Sequence, residues 1–230
     1  DGALTPRICV SIIPRTVNEA LKLIERAEKY KPDFVEVRLD RLKEQGGLAD
    51  IAECTKIPLI ATNRAKDCRG EFSGSETQRR RMLLNAAKNG FEYVDIELSA
   101  VGLKNMVENL RQRGVKPIIS FHDFEKTPGI PKMQEILKDQ IENGAEVCKI
   151  VTTAKVVEDN LTLLNFLYTA SKGSKVVCFA MGFLGKISRL LSPLFGGFFT
   201  IASLERGRET APGQMTIREL RAAYRALGVS

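Results

Sequence analysis

The chain has 230 residues, of which 43% are hydrophobic and 27% charged, a balance that excludes a disordered or collagen-like protein. Its length suits one large domain or two small ones and is typical of a (β/α) barrel. The net charge of +7 admits nucleic acid, an anionic membrane or an anionic small molecule as partner, and by itself selects none of them.

Arg7 to Ile12 forms the first β-branched run, and Thr16 is placed to cap a helix from Val17 to Tyr30. The next run, Phe34 to Asp40, alternates strictly: Phe34, Glu36 and Arg38 share one face, and Val35, Val37 and Leu39 the other. A short helix from Leu48 to Cys54 leads to a strand at Ile57 to Thr62, then to Arg64 and a polar loop from Ala65 to Gly74. The helix Glu76 to Asn89 stops at Gly90, and the strand Tyr93 to Leu98 follows. A helix from Leu103 to Arg113 stops at Gly114 before the strand Pro117 to Phe121. Beyond it come a helix at Met133 to Asn143, a strand at Glu146 to Thr152, a helix at Glu158 to Ser171 and a strand at Lys175 to Phe179. A loop from Met181 to Gly185, a helix through Leu191, a strand at Phe198 to Ala202 and a helix at Thr216 to Leu227 complete the pattern.

Strands that alternate with helices imply parallel pairing with helical crossovers. Eight such cycles with no second pattern between them predict an α/β fold, a (β/α)8 TIM barrel, as a single domain over residues 1–230. A doubly wound open sheet would place a glycine-rich phosphate turn after its first strand, and Ser11-Ile12-Ile13-Pro14-Arg15 is not one. No apolar stretch approaches the roughly 20 residues that cross a bilayer, and the first residues lack the layout of a signal peptide, so a cytoplasmic location without membrane contact is expected. Cys9, Cys54, Cys68, Cys148 and Cys178 lie at irregular spacings with no CxxC pair, as reduced thiols do rather than a disulfide or zinc framework. The run Arg79-Arg80-Arg81 falls within a helical pattern without interleaved aromatics, so it is expected to be a solvated helix face and not a nucleic-acid stripe.

The chemistry centres on Lys149, an ammonium-bearing side chain in the middle of Glu146-Val147-Cys148-Lys149-Ile150-Val151-Thr152. Lysine is seldom buried, and desolvation disfavours its charged form, which would leave an uncharged amine able to attack a carbonyl and form a Schiff base. The plainer reading is a strand-end lysine that snorkels to water. In a barrel, active sites form at the carboxyl ends of the strands. That rule gathers Ser11, Glu36, Arg38, Arg64, His122, Lys149, Arg189 and the segment Thr210 to Gln214 at one mouth. His122 is the sole histidine, and from the fifth strand it would neighbour Lys149 on the sixth, where an imidazole suits removal and return of a proton. Arg38, Arg64 and Arg189 suit a small carboxylated or polyhydroxylated anion, and a buried one among them needs a partner such as Glu36. With neither His/His nor Cys/His spacing, and with no Ser-His-Asp or P-loop arrangement, metal sites, acyl transfer and nucleotide hydrolysis are disfavoured.

Several pieces, in order and covering nearly the whole chain, carry a family resemblance. They are Glu36-Val37-Arg38-Leu39-Asp40, Thr62-Asn63-Arg64, Ser120-Phe121-His122-Asp123-Phe124, Cys148-Lys149-Ile150, Met181-Gly182 with Gly185 and Ser188-Arg189, and Ala211-Pro212-Gly213-Gln214. Together they resemble the type I 3-dehydroquinate dehydratases, Schiff-base lyases of the shikimate pathway of aromatic amino acid biosynthesis. The resemblance implies that Lys149 forms the imine with 3-dehydroquinate and that His122 acts as general base and then general acid. It implies that Arg189 and Gln214 hold the ring carboxylate, with Glu36, Arg38 and Arg64 on the ring hydroxyls and with Ser11 and Thr210 nearby. No cofactor or metal is then required, no nucleic acid takes part, and a homodimer is implied.

Two positions depart from the family pattern. Thr210 stands where serine is frequent. Cys68 stands four residues after Arg64, where many members carry a glutamate that assists the histidine. Either Asp67 or Glu71 takes that role after a loop shift, or His122 works without a carboxylate. A competing reading is a class I aldolase with a phosphate site formed by Gly182, Gly185, Gly196 and Gly197 after the seventh and eighth strands.

Overall fold

The computed structural model describes residues 5–44 and 46–229. Residues 1–4, Gln45 and Ser230 of the expected single domain lie outside the described residues. Among the described residues eight strands alternate with eight α-helices. The first four cycles are β1 (Ile8–Ile12), α1 (Val17–Glu28), β2 (Phe34–Arg38), α2 (Leu48–Glu53), β3 (Leu59–Thr62), α3 (Glu76–Lys88), β4 (Tyr93–Glu97) and α4 (Leu103–Gln112). The remaining four are β5 (Lys116–His122), α5 (Ile130–Glu142), β6 (Val147–Thr153), α6 (Asp159–Ala170), β7 (Val176–Met181), α7 (Lys186–Leu191), β8 (Thr200–Ser203) and α8 (Ile217–Ala226).

The strands pair in parallel in the order β7-β6-β5-β4-β3-β2-β1-β8. The two ends of that order meet where Phe198 N donates to Val176 O at 2.8 Å. The result is the predicted (β/α)8 barrel. Local signals set its helix ends. The hydroxyls of Thr16, Ser75 and Thr216 accept from backbone N–H groups three residues on, and Ser75 with Gln78 and Thr216 with Glu219 complete reciprocal capping boxes. α5 starts at Ile130, a turn earlier than the apolar spacing suggested, because Pro131 fits the first helical turn, where its missing N–H costs nothing.

Strand alternation sorts the core into two regions. Outward residues such as Val10, Val35, Val37, Val94, Ile96 and Ile119 pack against the helices. Inward residues fill the barrel in layers. Cys9, Phe34, Ile60, Tyr93, Ile118, Val147 and Val177 make an apolar floor with Phe199, where the Phe34 ring meets Tyr93 edge-on at 5.6 Å. Two residues further along β1 to β6 the interior turns polar, with Ser11, Glu36, Thr62, Asp95, Ser120 and Lys149 all buried, while β7 and β8 stay apolar there with Phe179 and Ile201. That change of character marks the base of the site.

Candidate active site

The register of the sheet brings the polar layer together. Ser120 on β5 pairs with Lys149 on β6, and His122 pairs with Val151, so the imidazole sits one inward step above the amine on the adjacent strand. Lys149, His122, Glu36, Arg38, Arg64, Arg189, Thr210 and Gln214 line one cavity of about 100 Å³ at the carboxyl ends of the strands. Ser11 does not line that cavity itself. It joins through Thr210, whose hydroxyl donates to Ser11 Oγ at 2.9 Å. A larger groove of about 1020 Å³ lies outside the barrel mouth, beside α3 and the loops around Arg41 and Phe72, and holds none of the predicted site residues.

Lys149 is 4% exposed, so the snorkelling alternative is excluded. It is also not a bare amine. Its Nζ donates to Asp95 Oδ2 at 2.9 Å and lies 3.7 Å from Glu36 Oε2, which corrects the expectation of an amine isolated among apolar side chains. Both carboxylates belong to a wider network. Arg64 Nη1 donates to Asp95, Glu97 and Ser120, each at 2.9 Å. Glu36 accepts from Ser11 at 2.6 Å and from Thr62 at 2.8 Å. Burial alone would raise the Asp95 carboxyl, but Arg64 and Lys149 outweigh it and hold Asp95 well below the usual range. Glu36 is held down in the same way, chiefly by Lys149 against burial and against Asp95.

Asp95 and Glu97 escaped the sequence reading. The signal was present in Tyr93-Val94-Asp95-Ile96-Glu97, where alternation puts both carboxylates on the face of Tyr93, as it does for Phe34, Glu36 and Arg38 on β2. Arg79 is a correction of another kind. It is 3% exposed rather than solvated, with Nη1 on Glu97 at 2.8 Å and on the Asn63 carbonyl at 2.6 Å. α3 thereby buttresses the carboxylate that holds Arg64. The carboxylate partner of Arg38 is Asp40. The guanidinium forks onto it, with bonds of 2.7 and 2.8 Å, and not onto Glu36.

Arg189 is a buried cation with little around it to satisfy its charge. It is 1% exposed, and its guanidinium bonds through Nη2 to Pro212 O at 3.2 Å, while Nε and Nη1 have no partner among the described residues. Its guanidinium lies 4.5 Å from the centre of the Phe179 ring, and burial pushes its pKa down to about 9. A buried cation of that kind is a receptor for an anion. Gln214 stands near it on the loop after β8, its Nε2 donating to Thr210 Oγ1 at 2.8 Å. That loop is seated where Gly182 N donates to Pro212 O at 3.2 Å. Gly213, at φ +81°, approaches so closely that a Cβ would fall 2.2 Å from Gly182 O.

The His122 ring stacks on Phe124 at 5.6 Å with 6° between planes, and its Nδ1 is buried without a hydrogen-bond partner among the described residues. Burial, with Arg64 and Lys149 nearby, pushes its pKa well below that of a free imidazole, so the ring is neutral and able to accept a proton. Of the three candidates to assist it, Cys68 alone lines the cavity. Glu71 is turned outward into an ion pair with Arg41, and Asp67 is exposed on the 3₁₀ turn Lys66–Cys68. Burial and the nearby Glu97 and Asp67 push the Cys68 thiol up to about 11, so it is no substitute base. Gly196 and Gly197 precede β8 and lie at the opposite end of the barrel, which leaves only two of the four glycines that an aldolase-type phosphate site would use. Among the described residues no three His, Cys, Asp or Glu side chains converge as a metal site.

The sequence model of type I 3-dehydroquinase matches residues 8–230. A 3-dehydroquinate dehydratase of Methanococcus maripaludis strain C7 is 36% identical over 223 residues, covering 96% of this chain and 100% of its own. One from Dehalococcoides mccartyi is 38% identical over 222 residues, covering 96% of each. Among solved structures, the type I 3-dehydroquinate dehydratase of Clostridium difficile, determined with covalently modified comenic acid, superposes with a TM-score of 0.89 at 26% identity, covering 97% of this chain and 92% of that one. With a matching barrel, a full-length family match and relatives above one-third identity, the chain belongs to the type I 3-dehydroquinase family.

Proposed function

We propose that Lys149 and His122 carry out the reaction of the family, removal of water from 3-dehydroquinate to give 3-dehydroshikimate, in the cavity described above. Family membership makes the chain a hydro-lyase of the shikimate pathway, and the roles of individual residues are our reading. One observation carries it: a buried lysine, the only histidine and an unpaired buried arginine share a single small cavity.

The Lys149 ammonium first gives up a proton, for which Asp95 and Glu36 are the adjacent carboxylates. The amine then adds to the substrate ketone, and that proton returns from the carboxylate to the carbinolamine hydroxyl, which leaves as water to give an iminium. The same carboxylates, fixed by Arg64, Ser11 and Thr62, face the cation and stabilise it without reorganising. The iminium is an electron sink, so a neutral His122 removes the proton from the adjacent carbon and the electron pair moves toward nitrogen. The electrons return as the β-hydroxyl departs, taking the proton from His122 to leave as water. Hydrolysis of the new iminium frees the enone and restores Lys149. Arg189 and Gln214 hold the ring carboxylate, while Glu36, Arg38 and Arg64 orient the hydroxyls, with Ser11 and Thr210 linking the loop after β8 to Glu36. Every group needed is a side chain, so no cofactor enters the scheme.

The test is a substrate panel followed in the ultraviolet. Dehydroquinate should yield the absorbance of a conjugated enone, and phosphorylated aldolase substrates should remain uncleaved. Aldol cleavage with no enone would favour the aldolase reading instead. A homodimer and a cytoplasmic location are part of the same proposal. Among the described residues no helix is long and apolar enough to cross a membrane.

A further inference from the structure

His122 lacks the usual means of holding a catalytic imidazole. Among the described residues its buried Nδ1 has no hydrogen-bond partner, and Cys68, which lines the same cavity, carries a thiol pushed up to about 11 and not a carboxylate. The Phe124 ring lies parallel to it within 6° at 5.6 Å, stacked on its plane. Phe124 is half-buried and carries a second contact: the Arg69 guanidinium lies 4.3 Å from its ring centre. Arg69 reaches that place by an unfavourable route. Its φ of 61° is left-handed, a conformation that glycine or asparagine adopts far more readily. The turn that imposes it is firmly seated, with Gly70 N on Ala65 O at 2.8 Å and no room at Gly70 for a Cβ, which would fall 1.8 Å from Arg64 O. The strained residue, the aromatic ring and the imidazole are therefore joined to the Arg64 backbone at the rim of the site.

We propose that Arg69 is a positioning residue for the dehydration: its guanidinium clamps Phe124, and Phe124 holds the plane of His122 in place of a hydrogen-bonded carboxylate. The inference rests on the assignment of His122 as the base and goes beyond it. Imine formation at Lys149 does not need the imidazole plane, whereas proton transfer does, because small errors of alignment at a reacting group cost one to two powers of ten.

The experiment compares wild type, Arg69→Asn, Arg69→Lys, Phe124→Leu and the double variant Arg69→Asn/Phe124→Leu. Asparagine keeps the left-handed turn and removes the cation. Arg69→Asn should lower kcat about tenfold or more, with KM and melting temperature unchanged and borohydride trapping of dehydroquinate at the wild-type extent. Arg69→Lys should recover part of the loss, and the double variant should be no slower than Phe124→Leu alone, as for residues that act through one path. An unchanged kcat, a rise in KM alone, or losses that multiply in the double variant would overturn the clamp. Absence of turnover and trapping in wild type would remove the assignment of the site itself. Wild-type turnover with an indifferent Arg69 removes only this inference.

Discussion

Lys149 stood out in the sequence because an ammonium interrupts an apolar strand, and its burial follows from that. What surrounds it was harder to read. Asp95, 2.9 Å away, comes from a strand 54 positions earlier, and nothing local to Lys149 announces it. The contact depends on barrel closure, which places β4 and β6 on either side of β5. His122 and Arg189 were legible for a different reason: the first is unique in composition, and the second belongs to a motif whose spacing places it after β7. That Arg189 would be left with two unpartnered donors required coordinates, since it depends on which carboxylates do not reach it. Replacing His122 by alanine should leave the imine able to form on Lys149 while slowing turnover by about 10² to 10⁴. Rapid borohydride quenching separates the two steps, and an unchanged rate would exclude His122 as the base.

At the scale of elements, the cap at Thr16 and the terminal Gly90 were legible in the sequence, whereas the hydroxyl caps of Ser75 and Thr216 emerged only in the structure. Strand faces were legible from alternation on β2, and the same rule, had it been applied to β4, would have found Asp95 and Glu97. The run of three arginines shows the limit of local reading. Period alone puts one residue of any such run toward the barrel, and Arg79 is the one that turns inward to Glu97. α7 shows how an element is aimed at the site. Ser188 Oγ accepts from Ala180 N at 2.9 Å and donates to Gly185 O at 3.0 Å, tying the helix to the end of β7 and so fixing Arg189. Gly185 allows this closeness, because a Cβ there would lie 2.3 Å from Ala180 O. Gly185→Ala should therefore cost about 1–3 kcal/mol of stability and raise KM, since displacing α7 moves the carboxylate receptor. Denaturant unfolding alongside steady-state kinetics would check both, and a variant with wild-type stability and KM would contradict the packing argument.

For the molecule as a whole, the barrel solves a problem of charge. Glu36, Asp95, Glu97, Arg64, Arg79 and Lys149 are buried together above an apolar floor, and each is tolerable only because the others are present. The arrangement makes stability depend on pH with a definite sign. Asp95 and Glu36 have folded-state pKa values below their ordinary 3.8 and 4.5, so their contribution is present above those values and is lost as pH falls through the lower folded ones. His122 is also depressed, from 6.5, so the unfolded chain gains a proton that the folded chain resists as pH drops below 6.5. The melting temperature should decline from pH 6.5 downward and more steeply below about pH 4.5. A melting temperature that rises on acidification would contradict the assignment of these shifts.

The central claim is that the Lys149 amine forms a covalent imine with the substrate ketone. Borohydride reduction in the presence of dehydroquinate, followed by mass mapping of the modified peptide, tests it most directly. The account predicts a single stable adduct on the peptide containing Lys149, with both adduct and turnover abolished in a Lys149→Ala variant that still folds. An adduct on another lysine, or turnover retained by Lys149→Ala, would contradict it.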